Sequence, residues 1–306
     1  MHMEQAVNLG KLSLKNPVLT ASGTFGYGVE YAAFGDLRSL GGIVVKGLSL
    51  EERAGNPGRR IAETPCGMLN SIGLQNMGAK AFVREILPEL PWGETPVVAN
   101  IYGGDEAEFG ELAAYLADQE GIAALEVNIS CPNVRAGGIS FGQDPNMAAS
   151  ACGAVRERAG DKPVILKLTP NVTDVTEIAR AVEDAGADAL SLINTLSGMA
   201  VDIRSRRPVL GRVIGGLSGP AIKPVALQAV YRVCNTVNIP VIGIGGIASA
   251  EDALEFILAG AHAVQVGSAS FADPELAFSI VHRIEELCEE LGLAFWEDFR
   301  GRLETG

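Results

Sequence analysis

PVIGIGGIASAEDALEFILAGAHAVQVGS, residues 240–268, reads as strand, helix, strand. Its two ends, PVIGIG (240–245) and AVQVGS (263–268), are short, rich in Val and Ile, and stop at Gly or Ser, as buried strands do. Between them, SAEDALEFILAGAH opens on Ser249, a helix N-cap residue, and closes at Gly260. Glycine ends helices because it enters the left-handed region without steric cost. The same alternation runs back toward the N-terminus. Strand-like runs fall at ALSLIN (189–194), PVILKL (163–168), ALEVNIS (124–130), PVVANI (96–101), GIVVKG (42–47) and PVLTAS (17–22). TDVTEIARAVEDAGAD has helical spacing and a Gly stop, and DPELAFSIVHRIEELCEELG puts Pro274 at the expected first helical position.

Eight strand runs, each followed by a helix, predict an α/β fold of the closed (β/α)8 TIM-barrel type. An open doubly wound sheet competes, but eight evenly repeated units favour closure. No low-complexity linker interrupts the chain, so residues 1–306 are expected to form a single domain. Three connections, roughly 47–77, 131–145 and 194–220, are too long for plain loops. All three follow a strand's C-terminal end, the face on which barrel enzymes build their sites. Residues 131–145 are expected to form a lid over a substrate.

With 306 residues and 47% hydrophobic content, the chain can bury a sizeable core. The 37 acidic residues outnumber the 24 basic ones, for a formal charge of −13, which argues against nucleic-acid binding. The five cysteines, 66, 131, 152, 234 and 288, stand singly, so neither a structural metal, an iron–sulfur cluster nor a disulfide framework is expected. The N-terminus does not read as a signal peptide, and no apolar run is long enough to span a bilayer. A cytoplasmic protein is expected.

Polar residues sit near the C-terminal ends of five apolar runs: Lys46, Asn100, Asn128, Lys167 and Asn194. A buried polar group without a partner costs about 1–3 kcal/mol. One could be a satisfied core residue; five at one end of a barrel point to a bound polar ligand. Asparagines suit a ring edge that alternates C=O and N–H, and lysines suit a group that becomes negative. The three histidines, His2, His262 and His282, are a terminal residue, a strand start and a helix residue, so none is placed for catalysis. Cys131, between Asn128 and Asn133, is the remaining candidate for moving a proton. The last two strands run into GIGGIAS (243–249) and VGSAS (266–270), turns of the kind that bind phosphate after barrel strands seven and eight. Flavin mononucleotide beside a small substrate fits this set.

NISCPNVRAGGISFGQDP, with LNSIGLQN (69–76), ASGTFGYG (21–28), INT (193–195) and GIGGI, closely resembles the dihydroorotate dehydrogenases over essentially the whole chain. The loop after the cysteine looks like that of the NAD-linked, two-subunit class (class 1B). The fumarate-using homodimeric class differs in this loop; the membrane-associated class has serine in place of the cysteine and an N-terminal membrane extension. The resemblance implies one FMN per chain and oxidation of dihydroorotate to orotate in pyrimidine synthesis. It places FMN contacts at Ser22, Lys46, Gly47, Asn100, Asn128, Lys167, Ile193, Gly219, Gly245, Gly246, Gly267 and Ser268. Substrate contacts fall on Lys46, on Asn70, Ser71, Ile72, Gly73 and Leu74, and on Asn128, Asn133, Asn194 and Thr195. Ser268 departs from the threonine often found there, but keeps the hydroxyl. Cys131 would be the base at C5, while the C6 hydride goes to flavin N5. Electrons would leave through a partner subunit carrying FAD and a 2Fe–2S cluster, two catalytic chains pairing within a heterotetramer. The rival expectations are the same oxidation with fumarate and no partner, a flavin-binding electron carrier without turnover, and a flavin-free barrel enzyme acting on a phosphosugar.

Overall fold

The computed structural model describes residues 6–130 and 141–305. All eight expected strands form: β1 (Val18–Thr20), β2 (Ile43–Val44), β3 (Val97–Ile101), β4 (Ala124–Asn128), β5 (Val164–Lys167), β6 (Ala189–Leu192), β7 (Val241–Ile244) and β8 (Ala263–Val266). Each pairs in parallel with its sequence neighbour, and β8 returns to pair with β1. The seam between β1 and β2 closes through a parallel bridge of Leu19 with Gly42. Thr20 completes it with a side chain, its Oγ1 accepting from Val44 N at 3.0 Å. A hairpin of Val7–Leu9 and Leu12–Leu14 packs at the opposite end. Its outward residues alternate with buried Val7, Leu9, Leu12 and Leu14, and its turn residue Gly10 abuts Asp188, just before β6.

Seven α-helices surround the barrel among the described residues: α1 (Ala79–Glu85), α2 (Glu106–Ala117), α3 (Pro145–Arg156), α4 (Val175–Asp184), α5 (Lys223–Cys234), α6 (Ala250–Leu258) and α7 (Leu276–Glu290). The expectation of a helix after every strand is corrected at β1, which runs instead into two 3₁₀ turns, Val29–Tyr31 and Leu37–Ser39. Here aromatic rings fill the space: Phe25 stacks on Tyr31 at 4.0 Å and meets Phe278 of α7 at 6.1 Å. Ser249 caps α6 as expected, its Oγ accepting from Asp252 N at 3.2 Å, and Gly260 follows the helix at φ 117°. Pro274 is not the first residue of α7. Asp273 captures the chain in a turn, accepting from Glu275 N on its side chain (3.0 Å) and from Leu276 N on its carbonyl (3.2 Å), so the helix starts at Leu276. No helix among the described residues is long and apolar enough to cross a membrane.

Two of the long connections build a second, four-stranded antiparallel sheet. The connection after β2 contributes Ile61–Thr64 and Gly67–Asn70; the connection after β6 contributes Leu196–Gly198 and Gly215–Ser218. Gly216 pairs with Asn70 across these two excursions. Ala62, Leu69 and Leu210 give the sheet a small core of its own. Because both excursions leave from strand C-terminal ends, the sheet stands over that face of the barrel.

Candidate functional site

The barrel interior beneath this face is polar where a barrel is ordinarily filled by branched apolar side chains. Thr20, Asn100, Glu126, Lys167, Ser191 and Gln265 are all buried. Glu126 accepts from Asn100 Nδ2 (2.6 Å), Ser191 Oγ (2.8 Å) and Gln265 Nε2 (2.7 Å), with Lys167 Nζ at 3.6 Å. Lys167 Nζ also donates to Ser22 Oγ at 3.2 Å, linking β5 to the end of β1. Glu126 was not singled out from the sequence. The signal was present, an acidic residue inside the apolar run ALEVNIS, but it stands two residues deeper than Asn128 at the strand end.

A cavity open at its mouth lies between the ends of β1 and β5–β8. Of the expected residues it is lined by Ser22, Lys167, Ile193, Asn194, Thr195, Gly219, Gly245, Gly246, Gly267 and Ser268. The remaining residues join through contacts. Asn194 Nδ2 donates to Asn128 Oδ1 at 3.3 Å. Gly47 abuts Asn100, so that a Cβ there would lie 2.9 Å from Asn100 Oδ1. Asn70 Nδ2 donates to Gly216 O at 3.2 Å, and Gly216 packs so closely on Thr195 that a Cβ would overlap its hydroxyl. Lys46 is half-buried; burial, and then the neighbouring Arg60 guanidinium, pull its ammonium below the ordinary lysine value, against Glu30. Cys131 and Asn133, like most of the expected lid, lie outside the described residues.

The donors and acceptors left over fit FMN and a small acid. Asn100 Oδ1 is buried without a partner, an acceptor directed at Gly47. Gly245 and Gly246 have φ of 129° and 75°, and a Cβ on Gly246 would lie 2.7 Å from Lys223 Cβ. The N–H groups of Gly246 and Ser268 have no partner among the described residues, as a phosphate site requires. The N-terminus of α6 does not serve this purpose: Ser249 and Asp252 occupy it, Asp252 accepting from Ala248 N at 2.8 Å. In the 70–74 stretch, Ser71 N already donates to Arg60 O at 2.8 Å, whereas the N–H groups of Ile72, Gly73 and Leu74 have no partner among the described residues. Leu74 O is held by Tyr102 Oη (2.9 Å) and Asn76 Nδ2 (3.0 Å), which fixes this backbone over the barrel. His262 is at the far end, as expected from the sequence, with Val241 N donating to its Nδ1.

Comparison with known proteins agrees with this geometry. The family model for dihydroorotate dehydrogenase matches residues 5–288. The chain is 64% identical over 306 residues to the "dihydroorotate dehydrogenase B (NAD(+)), catalytic subunit" of Solidesulfovibrio magneticus, covering 100% of both chains. It is 59% identical over 302 residues to the protein of the same name from Maridesulfovibrio salexigens, covering 99% of each. It is 57% identical over 304 residues to that of Pelobacter propionicus, covering 99% of this chain and 100% of the relative.

Proposed function

Because this chain belongs to the dihydroorotate dehydrogenase family, we propose that it oxidises dihydroorotate to orotate, a step of pyrimidine synthesis, as one FMN-binding barrel domain. The observation that carries this reading is the meeting of Ser22, Lys167, Asn194 and the 245–246 and 267–268 turns around one cavity. FMN, when bound, supplies the two-electron acceptor for the hydride leaving C6. The N–H groups of Gly246 and Ser268 suit its phosphate. Lys167 provides a fixed cation where reduction deposits negative charge, an arrangement that needs no reorganisation during the reaction.

Asn128 and Asn194 bind the ring edge of the substrate, and Lys46 adds a positive charge. The N–H groups of Ile72, Gly73 and Leu74 receive its carboxylate. This refines the expected contact set, since Ser71 N is already committed to Arg60. Cys131 takes the proton from C5 as a thiolate, and Asn133 contacts the substrate. The support for both is the motif NISCPN.

The relatives are named as NAD(+)-linked catalytic subunits. On that footing, electrons leave this chain through a second subunit carrying FAD and a 2Fe–2S cluster, where NAD is reduced. Two catalytic chains pair, each with one such partner, in a cytoplasmic heterotetramer. The first test is anaerobic mixing of the FMN-loaded chain with dihydroorotate, which should bleach the flavin; a flavin that stays yellow rejects the reading. The isolated chain should then fail to reduce NAD and regain that activity with its partner. Efficient turnover with fumarate and no partner would favour the single-subunit alternative.

A further inference from the structure

Glu126 places a carboxylate at 0% exposure inside the barrel. Stability alone does not call for it, because replacing a buried ion pair with packed apolar groups is often neutral or stabilising. Its partners fall into two sets. Ser191 and Gln265, on β6 and β8, both donate to Oε1. Asn100 and Lys167, on β3 and β5, both face Oε2, at 2.6 Å and 3.6 Å. The second set reaches toward the site: Lys167 lines the cavity, and Asn100 Oδ1 is directed at Gly47.

An amide that gives its N–H to a carboxylate can present only its oxygen on the other side. Glu126 therefore determines which way round Asn100 sits, and Asn100 Oδ1 is left buried and unpartnered, open to a ligand N–H. Its negative charge also acts on Lys167 across 3.6 Å in a buried setting, where charges are weakly screened. We propose that Glu126 is a positioning residue for the flavin: it orients Asn100 as an acceptor and offsets part of the Lys167 charge, and so sets the flavin's midpoint potential. The proposal rests on the FMN reading above.

The sign follows from charge. Reduction adds electrons, positive charge nearby favours the reduced form, and Glu126 opposes that charge. Glu126→Gln keeps an acceptor for Asn100 but removes the negative charge, so the potential should rise. A tenfold shift toward reduced flavin corresponds to about 30 mV for a two-electron couple, and a shift of at least this size is expected. The measurement is an anaerobic redox titration of the FMN-loaded chain by its visible spectrum. A merely structural role would lower the melting temperature and leave the potential in place.

Should Glu126→Gln not fold, Gln265→Met serves. It removes one donor from the carboxylate, leaves more negative charge bearing on Lys167, and should move the potential down. Bound FMN with an unshifted or oppositely shifted potential overturns the proposal alone. A wild-type chain that takes up no FMN overturns both this proposal and the reading beneath it.

Discussion

Asn194 donates through Nδ2 to Asn128 Oδ1 at 3.3 Å, tying together two strand ends that flank β5. Ser130 N donates to the same oxygen at 3.1 Å. Both lone pairs of Asn128 Oδ1 are thus used within the protein, and its Nδ2 is the group left to face a ligand. Asn194 Oδ1 in turn accepts from Thr195 N at 2.7 Å. The pair leaves Asn128 Nδ2 as a donor, which suits the ring carbonyl oxygens of the proposed substrate.

Asn128→Asp keeps the oxygen that Ser130 and Asn194 require and replaces the donor with an anion. Dihydroorotate is itself an anion, so its affinity should fall by about 10–100-fold through the lost hydrogen bond and the repulsion between two anions. Titration of the oxidised enzyme with orotate checks this; unchanged affinity would remove Asn128 from the substrate site.

Cys131→Ala should retain FMN and lose flavin reduction by dihydroorotate by about 10²–10⁴-fold, the usual contribution of a general base. A thiol ordinarily ionises near pH 8.5, so the wild-type rate should climb through the alkaline range, and Cys131→Ser should recover a little activity only at high pH. Stopped-flow reduction at several pH values gives the answer, and a near-wild-type rate in the alanine variant would clear Cys131 of the role.

Gly246→Ala forces a side chain into φ 75° with its Cβ 2.8 Å from Lys223 N. A residue held there costs on the order of 1–3 kcal/mol, and the turn must shift away from the proposed phosphate contact. FMN affinity, read by quenching of free-flavin fluorescence, should drop about tenfold or more. Gly153→Ala, in α3 with open space around it, is the control that should leave FMN binding unchanged.

His262 is lowered to about 4 by burial and by the Arg300 guanidinium. Nδ1 accepts from Val241 N at 3.3 Å and Arg300 Nη1 lies 2.8 Å from Nε2, so a proton added at Nδ1 would displace the first contact and put a cation beside the guanidinium. The unfolded chain takes that proton near pH 6.5 and the folded chain does not. The neutral histidine therefore contributes stability that is present above pH 6.5 and lost as pH falls toward 4. The loss is on the order of 3 kcal/mol. Thermal melts of wild type and His262→Gln across this window should converge as pH falls; parallel curves would show that the ring is not the group responsible.

Native alkylation should separate the described cysteines by burial. Cys66 is exposed, whereas burial pushes the Cys152 and Cys234 thiols up to about 12. Peptide mapping after brief iodoacetamide treatment at pH 8 should find Cys66 modified and those two intact.

The sequence by itself determined the barrel, because its signals are local. Short Val- and Ile-rich runs ending at Gly or Ser mark each strand, and residues such as Ser249 and Gly260 bound α6 through hydrogen bonds within a few positions. The side of the barrel that carries the site was legible for the same reason: Lys46, Asn128, Lys167 and Asn194 all interrupt apolar runs at one end. The missing helix after β1 was not legible, since the rings of Phe25 and Phe278 that replace it meet only in the fold. Nor was the second sheet, in which Asn70 pairs with Gly216 from an excursion 146 residues away and so comes to rest beside Thr195. Glu126 is the plainest case. In the chain it is one acid in an apolar strand, and its meaning depends on donors from β3, β5, β6 and β8. A buried charge is tolerated only where partners converge on it, and only the closed barrel brings those four strands to one point.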